Sequence, residues 1–313
     1  MVLKIKKNKK AFFFTIGAIF LLTFFLLSFK VFSIHQQVSS VKDRVETLNN
    51  FVFSMEKDLP RQVYASGFRI IFLIEKNIVD TGDYIDSVND SFNEAFFNGS
   101  LNGKHQKLME GVTFSDIINN INLNAEKVNM NLNVSNYSIE VKQDGPWRVN
   151  FTLHADFNLS DKGGLVSWNK KESVSTLIKI TNFEDPLYVI STGGLVTNKI
   201  NQTPYENFTE GSDVSNLEDH VKNKYYKESS LAPSFLDRLE GKLTANLQGN
   251  GIESLVYLPE LFQAGLPIKE KSCVDYIYFS ENNPTSHQIQ GMPSWFRLDN
   301  AHLDMYNASG LVI

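Results

Sequence analysis

Ala11–Phe29 reads AFFFTIGAIFLLTFFLLSF, 19 residues without a charge. At ~1.5 Å per helical residue the run spans about 28 Å, close to the hydrocarbon core of a bilayer. Backbone groups in lipid must bond to one another, so the run is expected to be helical. Lys4, Lys6, Lys7, Lys9 and Lys10 precede it, and Lys30 alone follows closely. That asymmetry predicts a cytoplasmic N-terminus, with everything downstream on the outer side of a cell membrane. A secretory leader would have a shorter apolar region and a small-residue cleavage site. Here the run continues into Lys30-Val31-Phe32, so a retained single-pass anchor is expected, with the lipid membrane as its partner.

Outward from the apolar run, Val38, Val41, Val45, Leu48, Val52, Met55 and Leu59 follow at alternating steps of three and four. This is an a/d seam, a helix-packing stripe on an otherwise polar circumference. It can pack on the chain's own globular part or zip to another subunit, and the distal half is expected to pack internally. Pro60 lacks an N–H and its ring crowds the preceding turn, so the helix is expected to break or kink there. Val63 to Ile78 forms a further apolar-rich helical stretch, too charged to be a second membrane pass.

Lys9-Lys10-Ala11 followed by Phe12-Phe13-Phe14-Thr15-Ile16 resembles the N-terminal class III signals of archaeal type IV pilin-like proteins. The resemblance implies processing between Ala11 and Phe12, which removes the lysines and keeps the helix. It also implies other pilin-like subunits as partners through that helix. Two positions depart from the pattern: Phe13 is bulky, and Ile16 stands where major pilins carry a glutamate. A missing glutamate resembles a minor or tip-type subunit. Pro146-Trp147, Phe183 to Tyr188, Leu236 to Glu240 and Trp295 to Asp299 together resemble uncharacterised membrane-anchored surface proteins of archaea, which implies location and architecture but no activity.

Further along, Thr113 and Asp116 form a capping-box variant opening a helix with Phe114, Ile117, Ile118, Ile121, Ala125 and Val128 on one face. The period then falls to two. Val149, Phe151, Leu153, Ala155, Phe157 and Leu159 alternate with polar residues, the signature of a half-buried strand. Leu132, Val134, Ile139 and Val141 alternate with polar residues ahead of it, turn signals at Asp144-Gly145-Pro146 and Asp161-Lys162-Gly163-Gly164 flank it, and Glu172 to Thr181 is a third strand. The expected fold class is α+β: a long N-terminal transmembrane and stalk helix, then an antiparallel-sheet ectodomain with helices on one face. The expected divisions are a basic cytoplasmic segment (1–10), the membrane helix (11–32), the stalk (33–80), the α+β ectodomain (81–192), a loop or insertion (193–228), and the remainder of the ectodomain (229–313). Val274 to Phe279 reads as a short aromatic strand. Trp295 to Tyr306 reads as a strand end leading to a short helix capped by Asp299.

Net charge is −5 over the 313 residues, and −11 once the lysine-rich first thirty are set aside. An acidic exterior argues against nucleic acid as a partner. The one cysteine, Cys273, permits no intramolecular disulfide and no cysteine-rich metal site. There is no G-x-S-x-G, Walker A, H-E-x-x-H or C-x-x-C motif, so no catalytic, cofactor-binding or metal-binding residue is assigned and a non-enzymatic role is expected. Four weaker features have ordinary readings. Cys273 is a buried small residue. Asp299, His302 and Asp304 are a cap plus surface polar groups rather than a metal site. Glu184-Asp185-Pro186 is a turn rather than a cation-binding carboxylate pair. Trp147, Trp168 and Trp295 are core or interface aromatics rather than a sugar-stacking surface.

N-x-S/T acceptors stand at Asn89, Asn98, Asn133, Asn136, Asn150, Asn158, Asn201, Asn207 and Asn307, all past the apolar run. They are candidates for glycosylation of an exported chain. The sequence therefore predicts a surface protein that is pilin-like, or a component of a pilus-type assembly or adhesive layer. The competing expectations are an anchored ligand-binding or sensor ectodomain and, more distantly, an anchored hydrolase.

Overall fold

A computed structural model describes residues 9–313. Of the basic segment 1–10, residues 1–8, Lys4, Lys6 and Lys7 among them, lie outside the described residues. The fold is α+β: one long N-terminal helix, then small antiparallel sheets and shorter helices. Helix α1 runs from Lys9 to Thr81, 73 residues, or about 110 Å of helical rise. It ends at Gly82, whose φ of +75° places it in the left-handed region and whose N–H bonds to Ile78 O at 2.8 Å.

The expected break at Pro60 does not occur; Pro60 lies inside α1. The reason is the packing on either side of it. Leu48, Val52, Met55, Leu59, Val63, Ser66, Ile70, Ile74 and Ile78 are all buried and follow one another at steps of three or four across the proline. An internal proline costs about 3 kcal/mol. Each fully buried aliphatic side chain contributes about 1.5–3 kcal/mol, so its neighbours on the seam outweigh it.

After α1 comes α2 (Val88–Asn98), which sequence periodicity alone did not resolve. Ser87 caps it by accepting from Asp90 N, Gly99 closes it in the left-handed region, and Val88, Phe92, Ala95 and Phe96 are its buried side. A two-residue ladder joins β1 (Ser100–Leu101) and β2 (Lys104–His105). Helix α3 (Phe114–Lys127) opens on the expected box: Thr113 Oγ1 accepts from Asp116 N at 3.2 Å, and Asp116 Oδ2 accepts from Thr113 N at 3.1 Å. The three-stranded sheet has the order β3 (Met130–Gln143), β4 (Arg148–Asp161), β5 (Ser167–Lys179). On β4, Val149, Phe151, Leu153, Ala155, Phe157 and Leu159 are buried, the face expected from their alternation.

The chain forms two compact units. The first holds the described residues up to Glu56, with Ile121–Asn133 and Phe157–Lys170. Its core joins Leu48 and Val52 of α1 to Ala125, Met130 and Leu159, with Phe51, Val128, Leu132, Val166 and Trp168 around them. Arg44 ties α1 to the β4 turn, 2.5 Å from Asp161 Oδ2.

The second unit holds Lys57–Asn120, Val134–Asp156 and Lys171–Ile313. There Gly67 of α1 lies against β4 and β5 so closely that an added Cβ would stand 2.8 Å from the Phe151 ring and 2.7 Å from Ile178 Cδ1. The C-terminal part adds α4 (Pro186–Ser191), α5 (Ser215–Lys222), β6 (Tyr226–Glu228), α6 (Phe235–Leu239), β7 (Ile252–Ser254), α7 (Leu258–Gln263), α8 (Asp275–Tyr278), β8 (Ser286–Gln288) and β9 (Arg297–Asp299).

Three expectations change here. Residues 193–214 carry no helix or named strand, but the segment 193–228 is anchored instead of open: Val196, Ile200, Phe208, Val214, Leu217, Val221 and Tyr226 are buried, and α5 and β6 occupy its second half. Val274 to Phe279 holds the short helix α8 instead of a strand, with Asp275, Tyr276, Ile277 and Tyr278 all buried. A helical turn buried on several sides shows no period to tell it from a strand. Arg297–Asp299 is a strand as expected, but no α-helix follows it; Asp299 Oδ1 accepts from Ala301 N at 3.1 Å and the chain proceeds in turns to a short 3-10 helix at Ser309–Leu311.

Candidate functional site

The largest exposed apolar surface is on α1 itself. Phe12, Phe13, Phe14, Ile16, Ile19, Phe20, Leu21 and Leu22 are exposed, as are the large side chains from Phe24 through Phe32 and on to Ile34. The helix is long and apolar enough to cross a membrane, and the qualifying segment is wholly unburied. Such a surface is unfavourable in water and is expected only where lipid or another helix covers it. Ala11 and Phe12, the candidate processing pair, lie within this continuous helix.

The seam beyond it divides in two. Val38, Val41 and Val45 are 62 %, 37 % and 40 % exposed, whereas Leu48, Val52, Met55 and Leu59 are between 2 % and 7 %. The distal half is thus covered within the chain, Leu48 and Val52 by the cluster around Ala125 and Leu159. The proximal half is open. On the same stretch, Gln36, Ser39, Ser40, Asp43, Arg44 and Thr47 line an open polar cleft of about 820 Å³ completed by Val128, Asn129, Met130 and Asp161–Gly163.

Two buried polar clusters organise the C-terminal part, and motif residues far apart in sequence meet in the first. Arg238 is fully buried. It donates to Asp185 Oδ2 at 2.6 Å, to Asp275 Oδ2 at 3.0 Å and to Ile252 O. Asp185 caps α4 by accepting from Leu187 N and also accepts from Tyr226 OH at 2.7 Å. Asp275 accepts from Ser254 N and Oγ. Burial raises the Asp275 carboxyl, with the Arg238 guanidinium opposing that shift. Burial likewise disfavours the Arg238 cation, but the two aspartates outweigh it and hold it more firmly protonated. Beside this cluster, burial and the nearby charges of Glu184 and Asp185 push the Glu75 carboxyl up to about 9.

In the second cluster, His302 Nδ1 lies 2.8 Å from Asp299 Oδ1, and its Nε2 lies 3.3 Å from Glu253 Oε2. Ser272 Oγ donates to Asp299 Oδ2 at 2.7 Å. Burial opposes the imidazolium, yet Asp299 and Glu253 prevail and raise His302 to about 9. The reading of His302 as a surface group is therefore overturned: it is 1 % exposed, and Asp299, expected as a cap, is 2 % exposed. The sequence concealed this because Glu253, the partner on β7, is some fifty residues away. Asp304 is exposed and accepts from Ser309 Oγ. Among the described residues no group of three or more His, Cys, Asp or Glu is placed to hold a metal ion.

The remaining candidates fall as follows. Cys273 is fully buried, and burial pushes its thiol up to about 12, a state in which it is a poor nucleophile. Glu184 and Asp185 take different partners: Asp185 is buried on Arg238, while Glu184 Oε1 lies 4.0 Å from Lys199 Nζ. Trp147, Trp168 and Trp295 are half-buried. Trp168 packs on the Leu48 cluster, and Trp295 meets Tyr257 edge-on at 5.7 Å. Of the sequon asparagines, Asn89, Asn98, Asn133, Asn158 and Asn207 are exposed and Asn150 and Asn201 half-buried. Asn136 and Asn307 are exposed but engaged: Asn136 Nδ2 donates to Asp156, and Asn307 Oδ1 accepts from Phe208 N.

No protein-family model, curated protein or solved structure matches this chain.

Proposed function

We propose that this chain is a single-pass, membrane-anchored surface protein, pilin-like in its N-terminal region, acting as a minor or tip-like subunit of a pilus-type assembly or adhesive layer. The observation that carries this reading is the fully exposed apolar face of α1 from Phe12 to Phe32, continuous with a half-buried seam. Lateral packing of that helix, in lipid before assembly and among other subunits after it, would remove the apolar surface from water. The resemblance of Lys9 to Ile16 to class III signals supports the same reading, and Ile16 at the usual glutamate position supports the minor-subunit form of it. The folded remainder would face outward, bear the sequons and act by contact rather than catalysis.

Intact mass and N-terminal sequencing of protein purified from its native membrane test this reading. Processing gives a chain beginning at Phe12. Retention of Lys4–Lys10 in the mature protein would overturn the pilin-like part and leave a simple anchor. The polar cleft between Gln36 and Lys162 supports a second reading, an anchored ligand-binding ectodomain. That reading predicts uniform distribution over the cell surface instead of concentration on filaments.

A further inference from the structure

The seam of α1 extends toward the membrane beyond its seven recognised positions. Val31 and Ile34 precede Val38 in the same register, so Val31, Ile34, Val38, Val41 and Val45 occupy five successive a and d positions. All five are β-branched, which limits their rotamers and makes them well-defined knobs. They are 66 %, 51 %, 62 %, 37 % and 40 % exposed. The next positions, Leu48, Val52 and Met55, are buried. One stripe, in one register, is therefore used along half its length and open along the other half.

Lipid does not suit Val38 to Val45. Ser33, Gln36, Gln37, Ser39 and Ser40 surround the start of the stripe, and Lys42, Asp43 and Arg44 follow, a composition that the hydrocarbon core excludes. The flanks then decide what does suit it. With Val38 and Val45 at a and Ile34 and Val41 at d, the e positions are His35 and Lys42, and the g positions are Lys30, Gln37 and Arg44. The acids of this stretch, Asp43 and Glu46, fall at f and b, away from the seam. A parallel second copy would set Gln37 against Lys42 and Lys30 against His35, with no opposite charge across the interface. Arg44 is already held by Asp161.

We infer that the open half of the seam docks a helix of a different protein, with an apolar a/d stripe and acidic residues at its e and g positions. This rests on the proposed assembly role and names the chemistry of the partner. Flanking charges select partners in paired helices. Two heptads are marginal alone, but membrane confinement of both helices raises their effective concentration.

The test uses the full chain in nanodiscs of neutral phosphatidylcholine. Two synthetic helical peptides, each held in the same disc by one common apolar transmembrane helix, share a Val/Leu seam and differ only in carrying glutamate or lysine at every e and g position. The glutamate peptide is expected to bind and the lysine peptide not. Lys42→Glu should weaken the glutamate peptide about fivefold and admit the lysine peptide. Val38→Ser with Val41→Ser should abolish binding, and because both positions are exposed the fold should be retained. Equal binding of both peptides, or of neither, overturns the inference. So does efficient disulfide formation between copies of a Val38→Cys chain, or displacement of the glutamate peptide by anionic lipid in the disc. Membrane retention after alkaline washing is read on the same samples. Its loss defeats the anchoring role independently of which peptide binds.

Discussion

Arg238 Nη1 stands 2.6 Å from Asp185 Oδ2, and neither side chain reaches solvent. The guanidinium also reaches Asp275 at 3.0 Å, so one cation holds α4, α6 and α8 together. Its removal would leave two buried carboxylates facing each other. Arg238→Met should therefore destabilise the folded chain by about 3–5 kcal/mol, seen as a lower urea midpoint. Adding Asp185→Asn and Asp275→Asn should recover part of that loss, because the damage comes chiefly from stranded charge.

Glu75 has the opposite character, since its charge is the liability. Its folded-state value of about 9 lies above the ordinary 4.5, so its contribution to stability is full below about pH 4.5 and is lost as pH rises toward 9. Glu75→Gln should raise stability at pH 8 by on the order of 2 kcal/mol and flatten the decline between pH 5 and 9. Chemical denaturation at several pH values checks both.

The two buried histidines should give pH dependences of opposite sign. His302 is raised to about 9, so its stabilisation is complete below about pH 6.5 and disappears as pH passes 9. His302→Gln should cost on the order of 3 kcal/mol near pH 6 and much less at pH 10. His220 is lowered to about 3, by burial first and by Lys227 second. It is neutral in the fold, so stability falls as pH drops from about 6.5 toward 3. His220→Asn should remove that acid-sensitive component while offering Thr203 a substitute for the 3.0 Å contact of Nδ1.

Gly67 should tolerate little. Gly67→Ala gains slightly in helix propensity but drives a methyl group into the Phe151 ring, for a net loss of about 1–2 kcal/mol. Ile178 Cδ1 can swing aside; the buried ring cannot. Phe151→Leu in the Gly67→Ala background should lower the coupling between α1 and β4, readable as a double-mutant cycle in thermal unfolding.

Much of this architecture was legible because it is local. The alternation from Val149 to Leu159 marks β4, the Thr113/Asp116 pair marks the start of α3, and charge-free Ala11–Phe29 marks an exposed apolar helix. Other features depend on distant partners. Pro60 carries a local break signal, and only the seam buried on both sides of it explains the continuous helix. The environments of Arg238 and His302 were illegible because carboxylates that meet them come from other elements: Asp185 caps α4, Asp275 opens α8, and Glu253 lies on β7. Sequence pattern located α1's apolar surface and pointed to internal packing of the distal seam, but could not place the division at Leu48, because Val45 and Leu48 look alike until one is covered.

A chain with one cysteine has no covalent staple, and Arg238 supplies a noncovalent one between residues 185, 238 and 275. A clasp made of charge is indifferent to thiol reductants and oxidants. The C-terminal fold should therefore keep the same melting temperature with and without dithiothreitol, and need no oxidative folding machinery to reach its native form.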